Sequence, residues 1–118
     1  MRATGIHHVA LNVTDAAEAI AFYTGTLGLT VREDRPDFGI AGAWLDAGSQ
    51  QIHLIEVPPP AAMGQHFALQ VDDLDAVIDE LRAGGITVSD AMAVGATGRQ
   101  AFLNDPSGNQ IELNEPSA

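Results

Sequence analysis

Ile6-His7-His8-Val9-Ala10-Leu11-Asn12-Val13, close to the start of the chain, returns 58 positions later as Gly64-Gln65-His66-Phe67-Ala68-Leu69-Gln70-Val71. Both stretches alternate with a period of two, the signature of a half-buried strand. In the first, Val9, Leu11 and Val13 share a face with His7, and His8, Ala10 and Asn12 share the other. In the second, Phe67, Leu69 and Val71 oppose His66, Ala68 and Gln70. Each strand therefore carries a histidine, a small residue and an amide, in that order, on its less apolar face.

Working outward, three further pairs of landmarks keep the same spacing. Asp15 to Leu27 carries Ala16, Ala19, Ile20 and Tyr23 at helical intervals, with Asp15 and Glu18 placed as a cap pair. Asp72 to Arg82 carries Leu74, Val77, Ile78 and Leu81 in the same way. Glycines stop both, at Gly28 and at Gly84-Gly85. Gly28-Leu29-Thr30-Val31 matches Gly85-Ile86-Thr87-Val88. Ala43-Trp44-Leu45-Asp46 matches Ala101-Phe102-Leu103-Asn104, and Gln51-Ile52-His53-Leu54 matches Gln110-Ile111-Glu112-Leu113. The offsets drift only between 57 and 59, which marks a duplication. The expected architecture is α+β, two copies of a βαβββ module. Module 1 is 1–57 and module 2 is 64–118, joined by a Pro-rich linker over 58–63 whose Pro58-Pro59-Pro60 run cannot donate to a sheet. Neither module alone buries a sheet face well, so 1–118 reads as one domain.

Composition narrows the chemistry. The chain has 118 residues, no Cys and a formal net charge of −11. Thiolate ligands, disulfides and a cysteine nucleophile are excluded. Its five cationic side chains are all Arg, so no lysine can form a Schiff base. The acidic balance repels nucleic acid and anionic lipid, and neither is an expected partner. No secretory leader is legible after Met1 and no run approaches a membrane span, which makes the cytoplasm the expected compartment.

The last strand of each module adds the second half of a pattern. Ile52 and Leu54 alternate with His53, and Ile111 and Leu113 alternate with Glu112. The polar faces then carry His8 with His53 in one module and His66 with Glu112 in the other. Three imidazoles and one carboxylate suit a divalent first-row ion (Zn, Ni, Co, Mn or Fe(II)) and imply no organic cofactor. Up to two coordination positions stay open for a substrate with neighbouring oxygens. A single strand histidine is more often structural than ligating; matched repeat positions shift that balance. His7 alternates onto the apolar side near the strand start and reads as structural or partly exposed. Glu56 and Glu115 read as solvated strand ends.

Other side chains carry two readings each. Glu112 is either a permanent ligand or the general base of the reaction. Trp44 and Phe102 line a substrate cavity or pack in the core. Arg99 meets an anionic substrate group or is a surface residue after the Gly-rich loop Gly95-Ala96-Thr97-Gly98. Asn12 and Gln70 share the ligand face and are placed to hydrogen-bond substrate or ligands.

His8-Val9-Ala10-Leu11, Phe22-Tyr23 with Leu27-Gly28-Leu29, and Asp105-Pro106-Ser107-Gly108-Asn109-Gln110-Ile111-Glu112-Leu113 together resemble the vicinal oxygen chelate superfamily of glyoxalase, fosfomycin-resistance, bleomycin-resistance and extradiol dioxygenase proteins. The resemblance runs from Ile6 to Glu115. It implies an open curved sheet around a metal cavity, with ligands from the first and last strands of each module, at His8, His53, His66 and Glu112. It also implies a homodimer, with sites built within one chain or across two. Glyoxalase I commonly has a glutamate where His53 stands, and bleomycin-sequestering members generally lack the ligand set. The expected function is a divalent-metal-dependent lyase, isomerase or thiol transferase acting on a small substrate with vicinal oxygens. The alternative is a non-catalytic protein that sequesters a small drug-like molecule.

Overall fold

A computed structural model describes all 118 residues, Met1–Ala118. The chain divides into two compact units, Met1–Ala61 and Ala62–Ala118, with the division inside the proline-rich segment.

In the first unit, β1 (His8–Val13) leads through Asp15 into α1 (Ala16–Ala21), which continues as a π-helical turn over Phe22–Thr26. β2 (Thr30–Val31), β3 (Gly42–Ala47) and β4 (Gln50–Glu56) follow. The sheet order is β1-β4-β3-β2, with β1 parallel to β4 and the other pairs antiparallel. Asp15 caps the helix by accepting the Glu18 N–H at 3.0 Å. The Leu27 N–H then bonds the Phe22 carbonyl, five residues back, at 3.1 Å. The widened turn sets two consecutive aromatics, Phe22 and Tyr23, both inside the core. The helix stretch therefore does not run as one α-helix from Asp15 to Leu27. Gly28, at φ +75°, reverses the chain where a side chain would be strained.

The second unit repeats the plan. β5 (His66–Gln70), α2 (Leu74–Ala83), β6 (Met92–Ala93), β7 (Gly98–Asn104) and β8 (Gln110–Pro116) form a sheet of order β5-β8-β7-β6 beside one helix. Asp73, one residue after the expected start at Asp72, caps α2 through a 3.1 Å bond from the Ala76 N–H.

Each helix covers one face of its own sheet, and the core follows the alternation. Val13, Ala19, Tyr23, Leu45, Ile52 and Leu54 are buried in the first unit; Leu74, Ile78, Leu81, Leu103, Ile111 and Leu113 in the second. Burying such a side chain contributes about 1.5–3 kcal/mol, which fixes strand register and with it the opposite face.

Glu56 and Glu115 have a role that solvated strand ends would not. Glu56 Oε2 accepts the Ala16 N–H at 2.8 Å, and Glu115 Oε1 accepts the Leu74 N–H at 3.0 Å. Both lie on the helix-facing parity of the last strand, and each ties that strand to the unpaired N–H groups at its helix start. No helix is long and apolar enough to cross a membrane.

Candidate functional site

Backbone register puts the chemistry-bearing residues on the uncovered face of each sheet. Ala10 lies directly opposite His53, and Ala68 directly opposite Glu112. The small side chains leave room beside the two functional groups. Across the antiparallel pairs, Trp44 opposes His53 and Phe102 opposes Glu112. In both units His53 or Glu112, on the last strand, is thus flanked by an aromatic on one neighbouring strand and by the first-strand histidine, set diagonally two residues before the alanine, on the other.

In the second unit these side chains form a hydrogen-bonded cluster. His66 Nε2 lies 3.1 Å from Glu112 Oε1. His66 Nδ1 is 2.9 Å from the Gly64 carbonyl, which can only accept, so Nδ1 carries a proton and Nε2 is the nitrogen turned to Glu112. Asn114 Nδ2 donates to Glu112 Oε2 at 2.9 Å. Phe102 meets the His66 ring edge-on, with centroids 5.5 Å apart. The Gly64 carbonyl, then the Glu112 carboxylate, raise the His66 pKa above its ordinary value.

In the first unit they form a stack of rings. His53 lies parallel to Trp44, centroids 4.4 Å apart, and parallel to His8 on its other side at 3.8 Å. Gln51 Oε1 accepts from His53 Nε2 at 2.8 Å, which leaves the Nδ1 lone pair of His53 free to accept. Burial first, then the neighbouring His8 and His7, lower the His53 pKa. Burial and these neighbours favour the neutral ring, the form that ligates metals.

The donor chemistry fits a divalent ion, unequally in the two units. Two donors about 2.1 Å from one ion and at right angles to each other stand about 3 Å apart. His66 Nε2 and Glu112 Oε1 have that spacing. His8 and His53 do not share it: their planes are 11° apart and face to face, so their in-plane lone pairs run side by side. One of those rings must turn before both can aim at one point. No group of three or more His, Asp and Glu side chains meets in ligand geometry.

The remaining candidates divide. Trp44 and Phe102 lie on the ligand face beside His53 and His66, partly exposed and outside the core. Asn12 is on that face, and its amide donates to the Pro58 carbonyl at 3.1 Å, tying β1 to the proline segment. Gln70 is exposed at the end of β5. Arg99 is on the other face: it pairs with Asp75 of α2 at 2.8 and 3.1 Å and lies 3.7 Å from Glu115. Its odd-numbered position in β7 matches Ala101 and Leu103, the helix-facing set, which separates it from Phe102. His7 is exposed, one of its two expected readings, but not on the side that alternation gave it. β1 begins only at His8, so alternation does not govern His7, and its Nδ1 sits 2.9 Å from His8 Nδ1 on the ligand side. Gln51 and Asn114, two residues from His53 and Glu112, went unmarked in the sequence, although strand parity puts them on the ligand face.

The family model of the Glyoxalase/Bleomycin resistance protein/Dioxygenase superfamily matches residues 5–113. The chain is 33% identical over 107 residues to a protein of Mycobacterium tuberculosis, covering 84% of this chain but only 41% of that relative's length. It is 30% identical over 117 residues to the ethylmalonyl-CoA/methylmalonyl-CoA epimerase of Cereibacter sphaeroides, covering 86% of this chain and 87% of the epimerase. Among solved structures, TnmS3, an antibiotic binding protein from Streptomyces sp. CB03234, superposes with a TM-score of 0.79 at 32% identity, over 99% of both chains.

Proposed function

Because the chain belongs to the glyoxalase/bleomycin resistance protein/dioxygenase superfamily, we propose that it is a divalent-metal-dependent isomerase or lyase acting beside a carbonyl of a small substrate. His8, His53, His66 and Glu112 hold the ion, supplied by one copy of the chain or by two. The observation that carries this reading is the 3.1 Å approach of His66 Nε2 to Glu112 Oε1, with each partner oriented from behind by Gly64 and Asn114. Partners of this kind, turning a ligand toward its ion, recur in metal sites.

The ion, when bound, acts as a Lewis acid toward neighbouring substrate oxygens. The chain's own groups do the rest. Glu112, loosened from the ion, removes and returns a proton alpha to the carbonyl, while Asn114 holds its Oε2. Trp44 and Phe102 offer flat apolar surface to the substrate body, and Gln70 offers an amide. The similarity over 117 residues to an ethylmalonyl-CoA/methylmalonyl-CoA epimerase supports isomerisation over thiol transfer.

Elemental analysis of protein purified without added metal is the first test. Bound metal in the parent and its loss in His66→Ala and Glu112→Ala agree with the reading. The second step is a turnover screen of hemithioacetals, epoxides and 2-ketoacyl thioesters, with α-proton exchange in D2O followed for the hemithioacetals; activity must depend on the restored ion. Equal metal content in parent and variants contradicts the site.

A second reading is favoured by the first unit. Trp44, His53 and His8 stack as a flat, partly exposed wall, and Phe38, itself exposed, lies 6.2 Å from the Trp44 ring. A planar drug-like molecule could add to that stack without turnover, in line with the similarity to TnmS3. Ligand binding that is unchanged after chelation, with no metal recovered, would favour it.

A further inference from the structure

His7 and His8 place their Nδ1 atoms 2.9 Å apart with their rings edge to face, 85° between planes. One nitrogen must donate and the other accept, so the pair admits two arrangements with opposite consequences for His8. If His8 Nδ1 accepts, its proton sits on Nε2, and no lone pair remains for an ion. If His8 Nδ1 donates, Nε2 is bare.

The second unit supplies the precedent for choosing between them. His66 occupies the position of His8 in the repeat, at the first residue of the parallel strand beside the last one. Its Nδ1 donates to the Gly64 carbonyl and its Nε2 is the nitrogen turned to Glu112. A matching ligand geometry in the first unit requires an acceptor at His8 Nδ1. The partner at that nitrogen is the His7 ring. His7 is exposed, and an imidazole in water favours the tautomer with its proton on Nε2, which leaves Nδ1 an acceptor.

We propose that His7 accepts a hydrogen bond from His8 Nδ1 and so fixes His8 as an Nε2 ligand, the task the Gly64 carbonyl performs for His66. His7 is a positioning residue. It acts on the ion only through His8, and the inference rests on the metal-site reading above. His7 is also the residue that strand alternation alone assigned to the opposite face.

The test reads the tautomer directly, in the metal-free protein, by 15N-detected imidazole NMR of the parent, His7→Phe and His7→Gln at a pH where His8 is neutral. The parent shows the proton of His8 on Nδ1. His7→Phe keeps a ring but no acceptor, and its His8 moves toward the Nε2–H form. His7→Gln restores an acceptor oxygen and returns His8 toward the parent tautomer. Zn(II) titration of the same three proteins gives a loss of about 10–100-fold in affinity for His7→Phe, the range typical of partners behind a ligand, with partial rescue in His7→Gln. Circular dichroism verifies that each variant is folded. An Nε2–H tautomer in the parent, or a tautomer and Zn(II) affinity unchanged in His7→Phe, overturns the inference. A parent with the Nδ1–H tautomer that takes up no Zn(II) upholds the hydrogen bond and overturns the metal reading, so the two failures are told apart.

Discussion

His66 Nε2 and Glu112 Oε1, 46 residues apart in sequence, stand 3.1 Å apart on the uncovered face of the second sheet. The parallel pairing of β5 with β8 makes this contact, because it sets Ala68 opposite Glu112 and leaves His66, two residues earlier on the same face, diagonal to the carboxylate. Nothing bulky separates the two groups, and backbone and amide partners orient both from behind.

The first prediction concerns pH. His66 in metal-free protein titrates above its ordinary value, chiefly through the Gly64 carbonyl and then through Glu112. A folded-state value raised above the unfolded one gives stability that is fully present below the unfolded pKa and lost as pH rises through the folded pKa. His53 shifts the other way, mainly by burial, so that its charging opposes folding as pH falls below its unfolded value. NMR titration of the ring protons is expected to place His66 above His53. Glu112→Gln should lower the His66 midpoint without removing the whole shift, since Gly64 remains. The reverse order of the two midpoints contradicts the geometry.

Gln51 and Asn114 orient His53 and Glu112 from two residues away on the same strand. Gln51→Ala and Asn114→Ala are expected to weaken metal affinity by about 10–100-fold with little change in thermal midpoint. Isothermal titration with Zn(II) and a melting curve measure the two separately. A large melting shift with unchanged affinity would make both residues structural.

Glu56 and Glu115 join the last strand of each unit to the start of its helix. Removing either carboxylate, by Glu56→Ala or Glu115→Ala, should destabilise the fold by about 1 kcal/mol, the usual effect of losing a helix N-terminal partner. Urea denaturation reads this. Metal content should be unaffected, because both side chains face the helix.

Arg99→Ala should leave activity and metal content unchanged and shift stability by less than about 1 kcal/mol, as expected for an exposed ion pair. Its guanidinium is held by Asp75 on the helix side of β7. A rise in KM for an anionic substrate in this variant would return Arg99 to the site.

The duplication was legible because each copy had to solve the same burial problem. Val9, Leu11, Ile52 and Leu54, with Phe67, Leu69, Ile111 and Leu113, mark the covered faces, and strand parity then exposed the opposite residues in pairs. Parity also held the signal that Arg99 and Phe102 face opposite ways. Other features depend on where an element starts or how it bends. His7 lies just outside β1, so its side chain is free of the alternation. The π-helical turn at Phe22–Thr26 carries two adjacent buried aromatics, which helical spacing does not encode. The difference between the two sets of side chains, rings stacked at His8 and His53 but hydrogen-bonded at His66 and Glu112, follows from one change of residue at a matched position: a second imidazole stacks where a carboxylate accepts.

The most direct measurement is metal stoichiometry by plasma mass spectrometry on the parent and on His8→Ala, His53→Ala, His66→Ala and Glu112→Ala, purified identically and shown to be folded. One equivalent of a divalent first-row ion per chain in the parent, reduced in all four variants, is the predicted result. A parent without metal that also fails to take it up on titration, or variants that hold as much as the parent, would contradict the proposed site.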